Sequence, residues 1–192
     1  MRFIENGPDI PDELLFAQDD GNVVFFCGAG VSMAYSRLSS FADLAEKVIT
    51  DLGATEESKA KKLFSTFMEL NKDPHTRGVM SADHIFSGLI RSFDRDDINC
   101  SVARSLLPKG NPDLAAHKII LDLARSQGGQ TRLITTNFDL LFEASNQRLK
   151  SVTRSSLPHI EFADNDWGIV HLHGKVKKDY SGPDRDGFVL SS

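Results

Sequence analysis

Apolar runs of strand length alternate along this chain with apolar residues at helical intervals. Asn22-Val23-Val24-Phe25-Phe26-Cys27 is β-branched and aromatic and is closed by Gly28 and Gly30, which predicts a buried strand over 22–27 leading into a tight turn. Ser40-Phe41-Ala42-Asp43 has the spacing of a capping box with Asp in place of Glu, and Leu44, Val48, Ile49 and Leu52 follow at helical intervals. A helix is therefore expected over 41–52, stopped at Gly53. Thr55 to Leu70 brings Leu63, Phe64, Phe67 and Leu70 onto one face, and Ser81 to Phe93 does the same for Ile85, Leu89 and Phe93. Pro112 to Ser126 predicts another helix, with Leu114, Ile119, Leu121 and Leu123 as apolar surface and Gly128-Gly129 as its end. Arg132 to Thr135 reads as a short strand, Asp139 to Ala144 as the start of a helix, Gly168 to Leu172 as a third strand and Gly187 to Leu190 as a fourth.

Strands alternating with helices predict an α/β fold, a Rossmann-like parallel sheet flanked by helices, with 54–110 as a helical insertion. At 192 residues the chain has the length of one domain, 1–192, with no internal repeat. GFVLSS stands at the end of the sequence, where such a domain is expected to continue with a further helix and strand, so truncation at the C-terminus is expected.

Composition narrows the function classes. Hydrophobic residues at 40% and charged residues at 26% are globular values, and a net charge of −5 gives no general attraction to nucleic acid or anionic membrane. Cys27 and Cys100, the chain's 2 cysteines, lie far apart and are expected to be reduced thiols. No leader-like or membrane-spanning stretch is visible, so a cytoplasmic protein is expected, with no membrane partner and no direct nucleic-acid binding.

Three segments carry the candidate chemistry: Gly28-Ala29-Gly30-Val31-Ser32, Thr135-Thr136-Asn137-Phe138-Asp139 and His171-Leu172-His173-Gly174. Each follows a predicted strand. Were those strands parallel neighbours, their carboxyl ends would set a phosphate-accepting loop, a carboxamide with a carboxylate, and an imidazole around one crevice. Glycines at a strand-to-helix turn let backbone N–H groups approach an anion, although Met33 stands where a dinucleotide fingerprint has its third glycine and no Walker lysine follows. Asn137 could orient a water and Asp139 an amide-bearing leaving group; capping the next helix or an Asx turn is the competing structural role. His173 suits acid–base work at the strand end, whereas His171 reads as a core histidine and His117 as a structural hydrogen-bonding group. No metal is expected, because the two strand histidines lack a third and fourth ligand.

GAGVS, TTNFD and HLHG, in this order, resemble the sirtuin superfamily over about residues 22–192, and His117 after Pro112 resembles that family's Pro-x-x-x-x-His helix. The resemblance implies NAD+ as substrate, with Gly28, Ala29, Gly30, Val31, Ser32, Thr135 and Thr136 around it. It also implies Asn137, His173 and Asp139 as the catalytic set. The four cysteines of the zinc module in protein-deacylating sirtuins are absent, and the stretch 54–110 stands in their place. The pattern is similar to the sirtuin-like domains of bacterial antiphage defence, which hydrolyse NAD+ to nicotinamide and ADP-ribose. That resemblance implies a homo-oligomer, or a sensor partner: an Argonaute-type protein, a HerA-like ATPase or a fused domain. Protein deacylation and non-catalytic sensing of NAD or ADP-ribose are the alternatives.

Overall fold

The computed structural model describes residues 2–157 and 167–191. Its centre is a four-stranded, wholly parallel sheet: β1 (Phe25–Cys27), β2 (Arg132–Thr135), β3 (Ser151–Thr153) and β4 (Gly168–His171), in the order β1-β2-β4-β3. Register aligns Cys27 with Thr135, Thr135 with His171 and His171 with Thr153. All four strands therefore end on one row, and the loops that follow them leave from one edge of the sheet.

Helices make up much of the rest. α1 (Asp12–Asp19) precedes β1, and α2 (Gly30–Ser36) starts inside the glycine turn. α3 (Phe41–Asp51), α4 (Lys59–Lys72), α5 (Asp83–Ile90) and α6 (Arg95–Ser105) fill the middle of the chain, and α7 (Ala115–Leu123) returns it to the sheet. α8 (Leu141–Ser145) and a single 3-10 turn, Arg154–Ser156, follow β2 and β3. Among the described residues no helix is long and apolar enough to cross a membrane.

The expected capping box is present: Ser40 Oγ accepts from the Asp43 backbone N–H, and Asp43 Oδ2 accepts from that of Ser40, both at 3.1 Å. Two apolar clusters result. One unites Leu44, Val48 and Ile49 of α3 with Phe64, Ile85, Phe86, Leu89, Ile98 and Val102 from α4 to α6. The other lies against one sheet face and joins Cys27, Leu133 and Ile169 to Leu121, Ala124 and Phe142.

Several expectations are corrected. Gly187–Leu190 is not a strand; it is an irregular strap, and the fourth strand is Ser151–Thr153, whose polar sequence gives no apolar run. β1 is not buried as a whole: Phe25 and Cys27 face the cluster under the sheet, while the alternating Phe26 is 63% exposed on the opposite face of a strand at the sheet margin. On α7, Leu121 is buried, but Ile119 and Leu123 are 59% and 51% exposed, because their spacing turns them away from the sheet. Cys27 is a free buried thiol whose pKa is pushed up by burial, and Cys100 is also free.

Gly88 marks where α4 and α5 come closest: a Cβ there would stand 3.0 Å from Leu63 Cδ1, 3.1 Å from Ala60 Cα and 3.2 Å from Ala60 N. Helix propensity alone favours Gly88→Ala by about 1 kcal/mol. Backbone contact reverses the sign, and the variant is expected to lose about 1–3 kcal/mol of stability by urea unfolding.

Candidate active site

The three glycine, amide and histidine segments follow β1, β2 and β4, which are adjacent and parallel, so their loops are neighbours at one sheet edge. A cavity of about 420 Å³ opens there, lined on its polar side by Ala29, Ser32, Thr136, Asn137, Asp139 and His173. Its apolar side is Leu38, Phe41, Leu44 and Leu106, closed by Phe138 and the strap residues Val189 and Leu190. The volume and the apolar wall with few polar groups are those of a small-molecule site.

Ser32 is the hub of the polar wall. Its Oγ donates to Asp139 Oδ2 at 2.9 Å, accepts from Asn137 Nδ2 at 3.1 Å, and lies 3.3 Å from His117 Nε2. A hydroxyl has one proton to give and two lone pairs, so the three contacts saturate it and assign the N–H of His117 to Nε2. Burial lowers the pKa of His117, which keeps the ring neutral, and Phe142 packs edge-on against it with centroids 4.8 Å apart. His117 is thus a structural hydrogen-bonding group, as its helix position predicts.

Asn137, Phe138 and Asp139 all line the cavity, Phe138 on its apolar side and its two neighbours on the polar side. The Phe138 ring is buried against Phe188, with centroids 4.9 Å apart, and stands 6.4 Å from Phe41. With its amide nitrogen given to Ser32, Asn137, a residue of the cavity lining, leaves Oδ1 buried without a hydrogen-bond partner. Asp139 takes the structural role weighed for it, since Oδ1 accepts from the Leu141 N–H at the start of α8, at 3.1 Å, while Oδ2 serves the hub. Burial raises the Asp139 carboxyl above its ordinary value, against the opposing effect of the Leu141 and Ser32 hydrogen bonds. The half-buried Tyr180 phenol is pushed up to about 12, by burial first and then by the charges of Asp139 and Glu143.

His173 lies two residues beyond the end of β4 and lines the cavity, its ring 6.5 Å from that of Phe138. Burial lowers its pKa and the nearby Arg154 lowers it further, so the imidazole is neutral at pH 7. The glycine after it has a specific reason: Gly174 has φ +85°, and any side chain would collide with the Gly187 carbonyl oxygen of the strap. The strap is held from both sides. Val189 N–H donates to the His173 carbonyl at 2.9 Å, and Asp186 Oδ2 accepts from Thr153 Oγ1 at 2.5 Å and from the Ser155 N–H at 3.0 Å.

Not every expected site residue reaches the cavity. Thr135 is fully buried and its hydroxyl is spent on the backbone, donating to the Cys27 carbonyl and accepting from the Asn137 N–H, both at 3.0 Å. Val31 packs into the cluster under the sheet. Gly28 and Gly30 are outside the lining, but no atom lies within 4 Å of a Cβ built on Gly30, so that side of the turn is open. Sequence reasoning missed the apolar wall: Leu38, Phe41, Leu44 and Leu106 carry an ordinary core signature, and nothing local distinguishes a leucine facing a cavity from one facing another helix. Among the described residues, no group of three His, Cys, Asp or Glu could hold a metal.

Fold and site together define an α/β protein with a Rossmann-like parallel sheet and a small-molecule cavity at its carboxyl edge. No model of a known protein family matches the chain. It is 33% identical over 199 aligned positions to the uncharacterized protein y4cA of Sinorhizobium fredii (strain NBRC 101917 / NGR234), an alignment that takes in 100% of this chain and 16% of that protein. The chain thus spans about a sixth of the length of this curated relative.

Removing the hub leaves three buried polar groups short of a partner. Ser32→Ala is expected to cost about 1–3 kcal/mol in chemical unfolding, well above what loss of one exposed hydroxyl gives. A change below about 0.5 kcal/mol, the range of an ordinary surface substitution, would show that the hub contributes nothing to stability.

Proposed function

We propose that the cavity binds the nicotinamide end of NAD+ and that the site hydrolyses the bond between nicotinamide and ribose. The observation that carries the proposal is the convergence of Asn137, Asp139 and His173 on one cavity from the ends of neighbouring strands. The resemblance of GAGVS, TTNFD and HLHG to sirtuin-type sites supplies the substrate class.

The chemistry follows from what each group has free. The C1′–N bond of NAD+ breaks with its electron pair leaving on a neutral nicotinamide, so the leaving group needs no proton. The flat ring lies against the apolar wall of Leu38, Phe41 and Leu44, and Asp139, through lone pairs not used by Ser32 and Leu141, receives the amide N–H of nicotinamide. Asn137 Oδ1, an acceptor without a partner, takes a hydrogen bond from water and aims its oxygen at C1′. The new bond forms between that oxygen and C1′, and neutral His173 takes the proton released. The products are nicotinamide, ADP-ribose and a proton. Ala29 and Thr136 continue the cavity towards the open side of the glycine turn, where the pyrophosphate would lie. On the same resemblance, we infer that the helices from α4 to α6 are an insertion in place of the zinc module of protein-deacylating sirtuins, suited to water rather than peptide as acceptor. A role as effector of antiphage defence, in a homo-oligomer or beside a sensor partner, is part of the same proposal and rests on the resemblance.

Nicotinamide release from NAD+ by the full-length protein tests the reaction. Asn137→Ala and His173→Ala are each expected to lower kcat by about 10²–10⁴. Because the folded His173 titrates below its ordinary value, the rate should be full at pH 7 and fall as His173 protonates on acidification, with the midpoint under about 6.5. His173→Gln should lack that limb. Unchanged turnover in both alanine variants would refute hydrolysis at this site; tight NAD+ or ADP-ribose binding without nicotinamide release would identify a sensing module instead, and stoichiometric acyl-peptide cleavage a deacylase.

A further inference from the structure

β2 and β4 are paired up to Thr135 and His171, and the last ladder bond runs from the Leu172 N–H to the Thr135 carbonyl at 3.0 Å. Asn137 lies beyond that end, where no strand remains to hold its backbone. Two side chains of the final row take over. Thr135 Oγ1 accepts from the Asn137 N–H at 3.0 Å, and His171 Nδ1 lies 2.8 Å from the Asn137 carbonyl. A carbonyl only accepts, so Nδ1 carries a proton and donates.

The other ring nitrogen fixes the histidine. His171 Nε2 is 2.9 Å from Glu143 Oε1, the same oxygen that accepts from Ser151 Oγ at 2.5 Å. Burial alone would raise the Glu143 carboxyl, but the hydrogen bonds and charge around it outweigh burial and hold it below its ordinary value. Lys175 Nζ donates to Ser151 Oγ at 2.8 Å and stands 3.9 Å from Glu143 Oε1 and 4.0 Å from Asp184 Oδ2. His171 is fully buried, so its ring has no alternative partner in water.

We propose that Glu143 and His171 form a buried positioning pair that fixes the backbone of Asn137 and thereby aims its carboxamide at the cavity. Neither residue lines the cavity, so neither is a catalytic residue. With the N–H held by Thr135 and the carbonyl by His171, the Cα–Cβ direction of Asn137 is set, and Ser32 has only to orient the amide. Glu143 comes from α8, which starts on the Asp139 oxygen, so the element that follows Asn137 supplies the carboxylate that holds it in place.

The consequence for catalysis rests on the glycohydrolase proposal; the effect on Asn137 does not, and two measurements separate them. The first is the side-chain amide NMR signal of Asn137 in the ligand-free chain, assigned by its loss in Asn137→Ala. The second is nicotinamide release. Glu143→Leu removes the acceptor from His171, whereas Glu143→Gln keeps an oxygen there. Glu143→Leu is expected to shift the Asn137 signal and to lower kcat about 10–100-fold with KM changed less than about twofold, the pattern of a misplaced group rather than a lost binding contact. Glu143→Gln should restore most of both. Lys175→Met, at the margin of the network, keeps the test open should Glu143→Leu not fold, and is expected to move the signal in the same direction by less. An Asn137 signal unmoved in a folded Glu143→Leu or Lys175→Met chain, or equal effects of Gln and Leu, overturns the pair's role. A signal that moves in a chain that releases no nicotinamide supports the pair and counts against the glycohydrolase alone.

Discussion

Four strands ending on one row is the constraint from which the site follows. Cys27, Thr135, His171 and Thr153 are partners across the sheet, and all four are buried. Beyond this row the backbone ladder stops, and the side chains of the row continue its work. Thr135 ties β1 to the Asn137 amide, His171 holds the Asn137 carbonyl, and Thr153 holds the strap through Asp186. Polar residues at fully buried strand ends are costly unless bonded; here each bond they make places a part of the cavity.

The cavity lies between the helical cluster and the polar wall at the sheet edge. Phe138 is the pivot: its ring belongs to the helical cluster, while its two neighbours in sequence, Asn137 and Asp139, belong to the polar wall. The loop that seats this aromatic ring on the apolar side of the cavity therefore delivers an amide and an acid to its polar side. Burial in this packing raises Asp139 and lowers His173, the latter with help from the Arg154 charge. Gly174 completes the arrangement by letting the strap carbonyl approach the turn after His173.

Much of the fold was legible in the chain. The runs at 132–135 and 168–171 are strands as their composition predicts, the capping box at Ser40 starts α3 where expected, and Leu44, Val48, Ile49, Ile85 and Leu89 are buried as their spacing requires. β3 escaped notice because Ser151-Val152-Thr153 is too short and polar to read as a strand; it is held by pairing with β4 and not by its own burial. Gly187–Leu190 misled in the opposite sense: its apolar side chains pack into the helical cluster from an irregular strap. Phe26 shows the same limit, since an apolar residue in a strand does not announce whether anything covers its face.

Sequence by itself determined the residue types and their local settings: a glycine turn after an apolar run, an amide and an acid flanking an aromatic, two histidines at a strand end. Those are properties of neighbours along the chain, governed by backbone freedom and side-chain alternation. Only the tertiary structure decided which polar groups would meet the cavity and which would be consumed in building it. Thr135, His171 and His117 look as capable of chemistry as Asn137 and His173; strand order and register, fixed by contacts between segments distant in sequence, spend the first three on hydrogen bonds within the fold and leave the other two facing the cavity.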